Sequence, residues 1–197
     1  MRRIAYLTAL LLAVASFAAP ANEVEVRDAR LDTVEEGLVL NADFAFDLSQ
    51  RLEEAVVSGV PLYFRVEFEL SRPRWYWFDD NAVSALLQLR LSYHALSRTY
   101  RLSTGLLQQN FTTLEEALNV MKHVRNWLVA DRTVTFSDAD YEARVRLRLD
   151  TGMLPKPFQV SALTSRELQF ESPWKRFTVR PKQAPAPVES RPARGSP

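Results

Sequence analysis

Apolar and polar side chains alternate along most of this chain. Leu38, Leu40, Ala42, Phe44 and Phe46 are interleaved with Val39, Asn41, Asp43, Ala45 and Asp47. Leu62, Phe64, Val66, Phe68 and Leu70 alternate with Tyr63, Arg65, Glu67 and Glu69. Leu87, Leu89, Leu91, Tyr93 and Ala95 alternate with Gln88, Arg90, Ser92 and His94, and Tyr141, Ala143, Val145, Leu147 and Leu149 with Glu142, Arg144, Arg146, Arg148 and Asp150. A period of two puts successive side chains on opposite faces of a strand. One apolar and one polar face is the pattern of an antiparallel sheet with one side buried. Shorter segments read as strands at Glu23–Leu31, Thr99–Ser103, Thr133–Phe136, Val160–Leu163, Leu168–Phe170 and Arg176–Val179.

Two segments switch to a helical period. Leu48–Ser58 carries Leu52, Ala55 and Val56 and meets stop signals at Gly59 and Pro61. Thr112–Trp127 is the stronger helix. Thr112 and Glu115 have capping-box spacing, and Leu114, Ala117, Leu118, Met121 and Val124 form an apolar stripe. Gly37, Gly105 and Gly152 fall in expected turns. The pattern predicts a mainly β domain: an antiparallel β-sandwich of about seven to nine strands with two short α-helices at an edge or end. An open sheet covered by the longer helix is the alternative.

The two ends of the chain differ from this domain. Arg2 and Arg3 precede an uncharged stretch, Ile4–Phe17, followed by Ala18-Ala19-Pro20-Ala21. A basic start, an apolar segment and small residues at the cleavage position make a secretory signal peptide, residues 1–21, cut after Ala21. The run is shorter than the roughly 20 residues a spanning helix needs. It directs the domain, residues 22–180, to the periplasm or the medium. Residues 181–197 hold five prolines and few apolar side chains, the composition of a disordered tail.

Removing the signal changes the charge. The chain has 25 basic and 24 acidic residues, and without Arg2 and Arg3 the balance is 23 against 24, a net −1. That argues against nucleic acid or an anionic membrane as a bulk electrostatic partner. There is no cysteine, hence no disulfide, thiolate site or lipid-anchor attachment, and no stable membrane anchor after cleavage.

Chemistry is sparse. The two histidines, His94 and His123, are far apart in sequence, and no metal-ligand spacing joins them. His94 is expected on the polar face of its strand, His123 on the polar side of its helix. No G-x-S-x-G elbow and no glycine-rich phosphate loop occurs. Asp79-Asp80 and Asp138/Asp140 sit in expected turns, where aspartate caps its own backbone. No catalytic residue, metal or cofactor is expected.

Two features stand out. The run Arg72-Pro73-Arg74-Trp75-Tyr76-Trp77 approaches a turn, because Pro73 removes a ladder donor. Its aromatics either plug the sandwich end under snorkelling arginines or stack on a sugar ring or peptide. Arg144, Arg146 and Arg148 form a ladder on one strand face. It either pairs with the Arg65/Glu67/Glu69 face or stands free for an acidic partner.

The stretches Ser58–Leu70, Arg72–Trp77, Leu91–Ser103, Thr112–Leu118 and Tyr141–Phe158 resemble the domain-of-unknown-function family 4390, a group of exported bacterial proteins. The resemblance implies a signal-bearing protein, encoded in some genomes beside a sensor kinase. It carries no activity or ligand with it. The expected function is a non-enzymatic interaction domain engaging an envelope protein, with Arg72, Arg74, Trp75, Tyr76, Trp77, Arg144, Arg146 and Arg148 as candidate surface. A carbohydrate- or peptidoglycan-binding module built on Trp75-Tyr76-Trp77 is the first alternative, and a hydrolase around His94 or His123 the second.

Overall fold

The computed structural model describes residues 24–72, 80–159 and 168–181, with backbone alone at 80–82. The signal segment, the tail beyond Pro181, the run Pro73–Asp79 and the strand expected at Val160–Leu163 lie outside the described residues.

Among the described residues nine strands form two antiparallel sheets. The smaller has the order β1 (Glu25–Val34), β2 (Gly37–Ala45), β7 (His123–Asp131). The larger has six strands: β6 (Leu107–Phe111), β5 (Thr99–Thr104), β4 (Asp80–His94), β3 (Leu62–Arg72), β8 (Tyr141–Leu149) and β9 (Lys175–Val179). Between the strands lie the helices α1 (Gln50–Val57) and α2 (Leu114–Met121) and a 3-10 turn at Thr151–Met153.

The alternation read from the sequence is realised most fully in β3 and β8. Leu62, Phe64, Val66, Phe68 and Leu70 are wholly buried, and Ala143, Val145 and Leu147 face the same interior from the neighbouring strand. From the other sheet, Leu38, Leu40, Ala42 and Phe44 complete one shared core. Phe170 bridges the layers, meeting Phe46 and Phe64 edge-on at 5.1 Å each.

Local chemistry explains the connections. Glu35 and Glu36 turn the chain from β1 to β2, and Gly37 follows with φ 145°. A Cβ on Gly37 would stand 2.1 Å from the Ala130 carbonyl oxygen on β7, so only glycine lets the strands approach. Gly105, at φ 58°, opens the two-residue turn between β5 and β6. Ser49 caps α1 by accepting the Leu52 N–H.

Four expectations need correction. The helix expected over Thr112–Trp127 stops at Met121, and His123 begins β7. Val124 keeps its buried position, but on a strand opposite Ala42. Pairing with the open edge of β2 gives residues 123–131 a ladder of backbone hydrogen bonds, which outweighs the helical stripe. The capping box is Thr113 with Glu116, one residue later than expected; the repeated Thr-Thr and Glu-Glu left both registers open. The strand expected at Thr133–Phe136 is a loop, tied by Asp131 Oδ1 accepting from the Thr133 amide at 2.8 Å. Val134 and Phe136 alternate there because they anchor the loop on the core. Leu168–Phe170 is likewise not a strand, although the Phe170 carbonyl accepts from Leu149 N–H at 2.8 Å and Glu171 bridges to Arg148.

The sheets are unequal, and their offset shapes the surface. In the smaller sheet β1 lies against β8 and β9, while β7 lies against β4. Among the described residues no strand of that layer continues over β5 and β6. The helix α2 packs on β5, β6 and β7 and closes that gap at one end only.

Candidate functional site

The arginine ladder is a neutralised surface. On the outer face of the large sheet Glu69 lies opposite Arg144, Glu67 opposite Arg146, and Arg65 opposite Arg148. Arg144 Nε donates to Glu69 at 2.9 Å. Glu67 accepts from Arg146 Nε at 2.7 Å and from Arg148 Nε at 2.6 Å. Arg146 also pairs with Glu171, and Arg65 with Asp150 at 2.5 Å. Trp174, which sequence reasoning passed over, lies over the ladder, its ring centroid 4.4 Å from the Arg146 guanidinium and 4.9 Å from that of Arg144. Burial alone would raise the pKa of Glu67, but the bonds from Arg148 and Arg146 outweigh it and hold the carboxyl below its ordinary value.

Of the other candidate residues, Arg72 is exposed at the end of β3. Arg74, Trp75, Tyr76 and Trp77 lie outside the described residues. The structure therefore joins the three ladder arginines through their carboxylates and Trp174.

Neither histidine stands in a complete triad among the described residues. His94 Nδ1 is 2.8 Å from Ser97 Oγ and also 3.3 Å from the Ser97 amide, the geometry of a turn cap between β4 and β5. Its described partners include no carboxylate. His123 is on β7, not on a helix as expected, with Nδ1 2.7 Å from Asp43 Oδ1. Arg125 binds the same oxygen and donates to the carbonyls of Ala42 and Val124 at 3.1 and 3.0 Å. His123 and then Arg125 draw the Asp43 carboxyl below its usual pKa. No serine or threonine hydroxyl is hydrogen-bonded to His123 among the described residues. No group of three or more metal-ligating side chains occurs among them either.

The remaining feature is a cleft between the sheets, a cavity of about 370 Å³. Its floor is the inner face of β4, β5 and β6, with Leu87, Leu89, Leu102, Thr104, Leu107 and Gln109. Val124 and Trp127 of β7 form the roof, and Val120 and Met121 of α2 close one end. His123, Arg125 and Asn126 stand at the rim. Leu107 faces this interior yet remains 61% exposed, because the smaller sheet does not reach it. The signal in sequence was weak: Leu-Gln-Gln-Asn-Phe reads as neither strand nor helix, so β6 was not expected.

The rim depends on a break in β7. Leu40 pairs with Trp127 and Ala42 with Val124, so Arg125 and Asn126 bulge opposite Asn41. Asn126 adopts φ 49°, tolerable for asparagine. Its amide donates to Asn41 Oδ1 at 3.0 Å, and Asn41 Nδ2 donates to Asp32 Oδ2 at 2.8 Å. The bulge thus carries His123 and Arg125 to the cleft mouth. A second concavity, about 600 Å³, lies on the outer face around Tyr63, Leu86, Gln88, Arg90, Ser103 and Gln108. It is larger and more polar, although Leu87, Leu106 and Leu107 also line it.

Fold and cleft define the class: a cysteine-free two-sheet β domain with an under-covered apolar interior. The model of the domain of unknown function DUF4390 matches residues 21–178, and the chain belongs to that family. No curated protein and no solved structure matches it. No helix among the described residues is long and apolar enough to cross a membrane.

Proposed function

We propose that this chain is an exported, non-enzymatic binding domain of the cell envelope, and that the cleft between its sheets is the binding site. One observation carries the reading: the inner face of β4–β6 is apolar and only partly covered, with Leu107 open to solvent in the cleft floor. A pocket of a few hundred Å³ with an apolar lining and a few polar groups at its edge is the usual form of a small-molecule or segment-binding site. The basic start, apolar run and Ala18–Ala21 support export, and mass analysis of the periplasmic form should find Asn22 as the first residue.

The test is titration with N-phenyl-1-naphthylamine, a neutral probe that brightens in apolar sites. Saturable binding at one site per chain is expected. Leu107→Glu and Val120→Glu, both at partly exposed lining positions, should weaken it at least tenfold. Leu96→Glu, at the exposed tip of the β4–β5 hairpin, should leave it unchanged. No saturable binding, or equal weakening by all three, would overturn the assignment.

A further inference from the structure

We infer that the occupant of this cleft is the alkyl chain of a long-chain carboxylate, its head group held at His123 and Arg125; the inference rests on the cleft being the binding site. The choice of occupant follows from the walls. A partner strand would need a regular backbone edge to pair with. β7 offers none, since its register shifts twice, at Leu38/Val39 and at Leu40/Ala42, and Asn126 sits left-handed at φ 49°. β6 is five residues long. An occupant without backbone polar groups meets no such requirement.

The floor asks for hydrocarbon. Leu87, Leu89, Leu102 and Leu107 face Trp127 across the cavity, whose volume of about 370 Å³ fits one chain rather than a folded segment. The rim asks for negative charge. Among the lining residues His123 and Arg125 are the ionisable ones, and none is acidic. Asp43 pairs with Arg125 and bonds His123 Nδ1 from the β2 side, so the cluster carries an excess positive charge only when His123 is protonated, while the guanidinium stays available to a second acceptor. Their side chains remain 49% and 45% exposed, and no described residue is hydrogen-bonded to His123 Nε2. A carboxylate at the mouth would keep part of its hydration while meeting charge-assisted donors.

The experiment displaces bound N-phenyl-1-naphthylamine with saturated carboxylates of eight to sixteen carbons, each below its micelle concentration. Affinity should rise about fourfold for each added methylene, then level off when the cleft is full. The alcohol and the trimethylammonium of matching length should bind at least tenfold more weakly. Arg125→Gln should reduce the carboxylate-over-alcohol preference to within twofold, Arg125→Lys should restore most of it, and Gln88→Ala on the opposite face should change neither series. Equal binding of all three head groups would overturn the role of His123 and Arg125. Displacement by an apolar peptide or a lysophospholipid at concentrations where no carboxylate competes would overturn the ligand class. If the probe binds and no carboxylate displaces it, this inference fails while the cleft assignment stands; if the probe does not bind, both fail.

Discussion

Asn41 and Asn126 are joined across a break in the sheet: the backbone amide of the bulged Asn126 donates to the buried side-chain oxygen of Asn41 at 3.0 Å. The extra residue in β7 would otherwise leave that amide without a ladder partner. Asn41 thus turns a local irregularity into a fixed rim for the cleft.

Asn41→Ala removes that acceptor and the donor to Asp32. It should cost about 2 kcal/mol, seen as a lower urea midpoint. The carboxylate-over-alcohol preference should fall as well, because His123 and Arg125 lose their set position. Unchanged stability would show that the bulge is held by other contacts.

Gly37→Ala places a Cβ 2.1 Å from the Ala130 carbonyl oxygen, at φ 145°. Backbone would have to move between β2 and β7. The expected loss is about 3 kcal/mol or more, with poor soluble yield or a visibly lowered thermal midpoint. Gly105→Ala meets no atom within 4 Å and bears only the strain of its positive φ, so it should cost about 1 kcal/mol.

Phe170→Ala deletes the ring that meets both Phe46 and Phe64. A cavity between the sheets should cost about 3–5 kcal/mol in equilibrium unfolding. Phe170→Leu, which keeps most of the volume, should lose under half as much.

Glu67 and Asp43 both have carboxyls held below their ordinary pKa. Each therefore stabilises the fold above its unfolded-state pKa, and that stability is lost as pH falls through the depressed native value. Wild-type stability should decline below about pH 4. Glu67→Gln should cost about 2 kcal/mol at pH 7, and the gap to wild type should narrow by pH 3. A gap independent of pH would mean that Glu67 acts through packing instead of charge.

Much of the fold was legible because burial follows a period. Phe64, Val66 and Phe68 alternate with Arg65 and Glu67, and on β8 Val145 and Leu147 alternate with Arg144, Arg146 and Arg148; register then sets Glu67 and Glu69 against the arginines. The segment from Lys122 to Trp127 was not legible, since its apolar spacing fits one helical turn as well as a strand. Only the free edge of β2 decides between them. β6 was hidden for a related reason: Gln108, Gln109 and Asn110 have little strand preference and are held by pairing with β5. The cleft has no local signature at all.

Taken alone, the amino-acid sequence determined what depends on near neighbours: which faces of β2, β3, β4 and β8 are apolar, where the turns at Gly37 and Gly105 fall, the presence of two short helices, and the charge and cysteine content. Tertiary structure decided what depends on residues far apart in the chain. It brought Glu67 to three arginines' strand, drew Asp43, His123 and Arg125 together, and left Leu107 uncovered because a three-stranded layer cannot span a six-stranded one. Periodicity reports which side of a strand is buried; how far the opposing sheet extends over it is set by strand count and pairing across the whole chain.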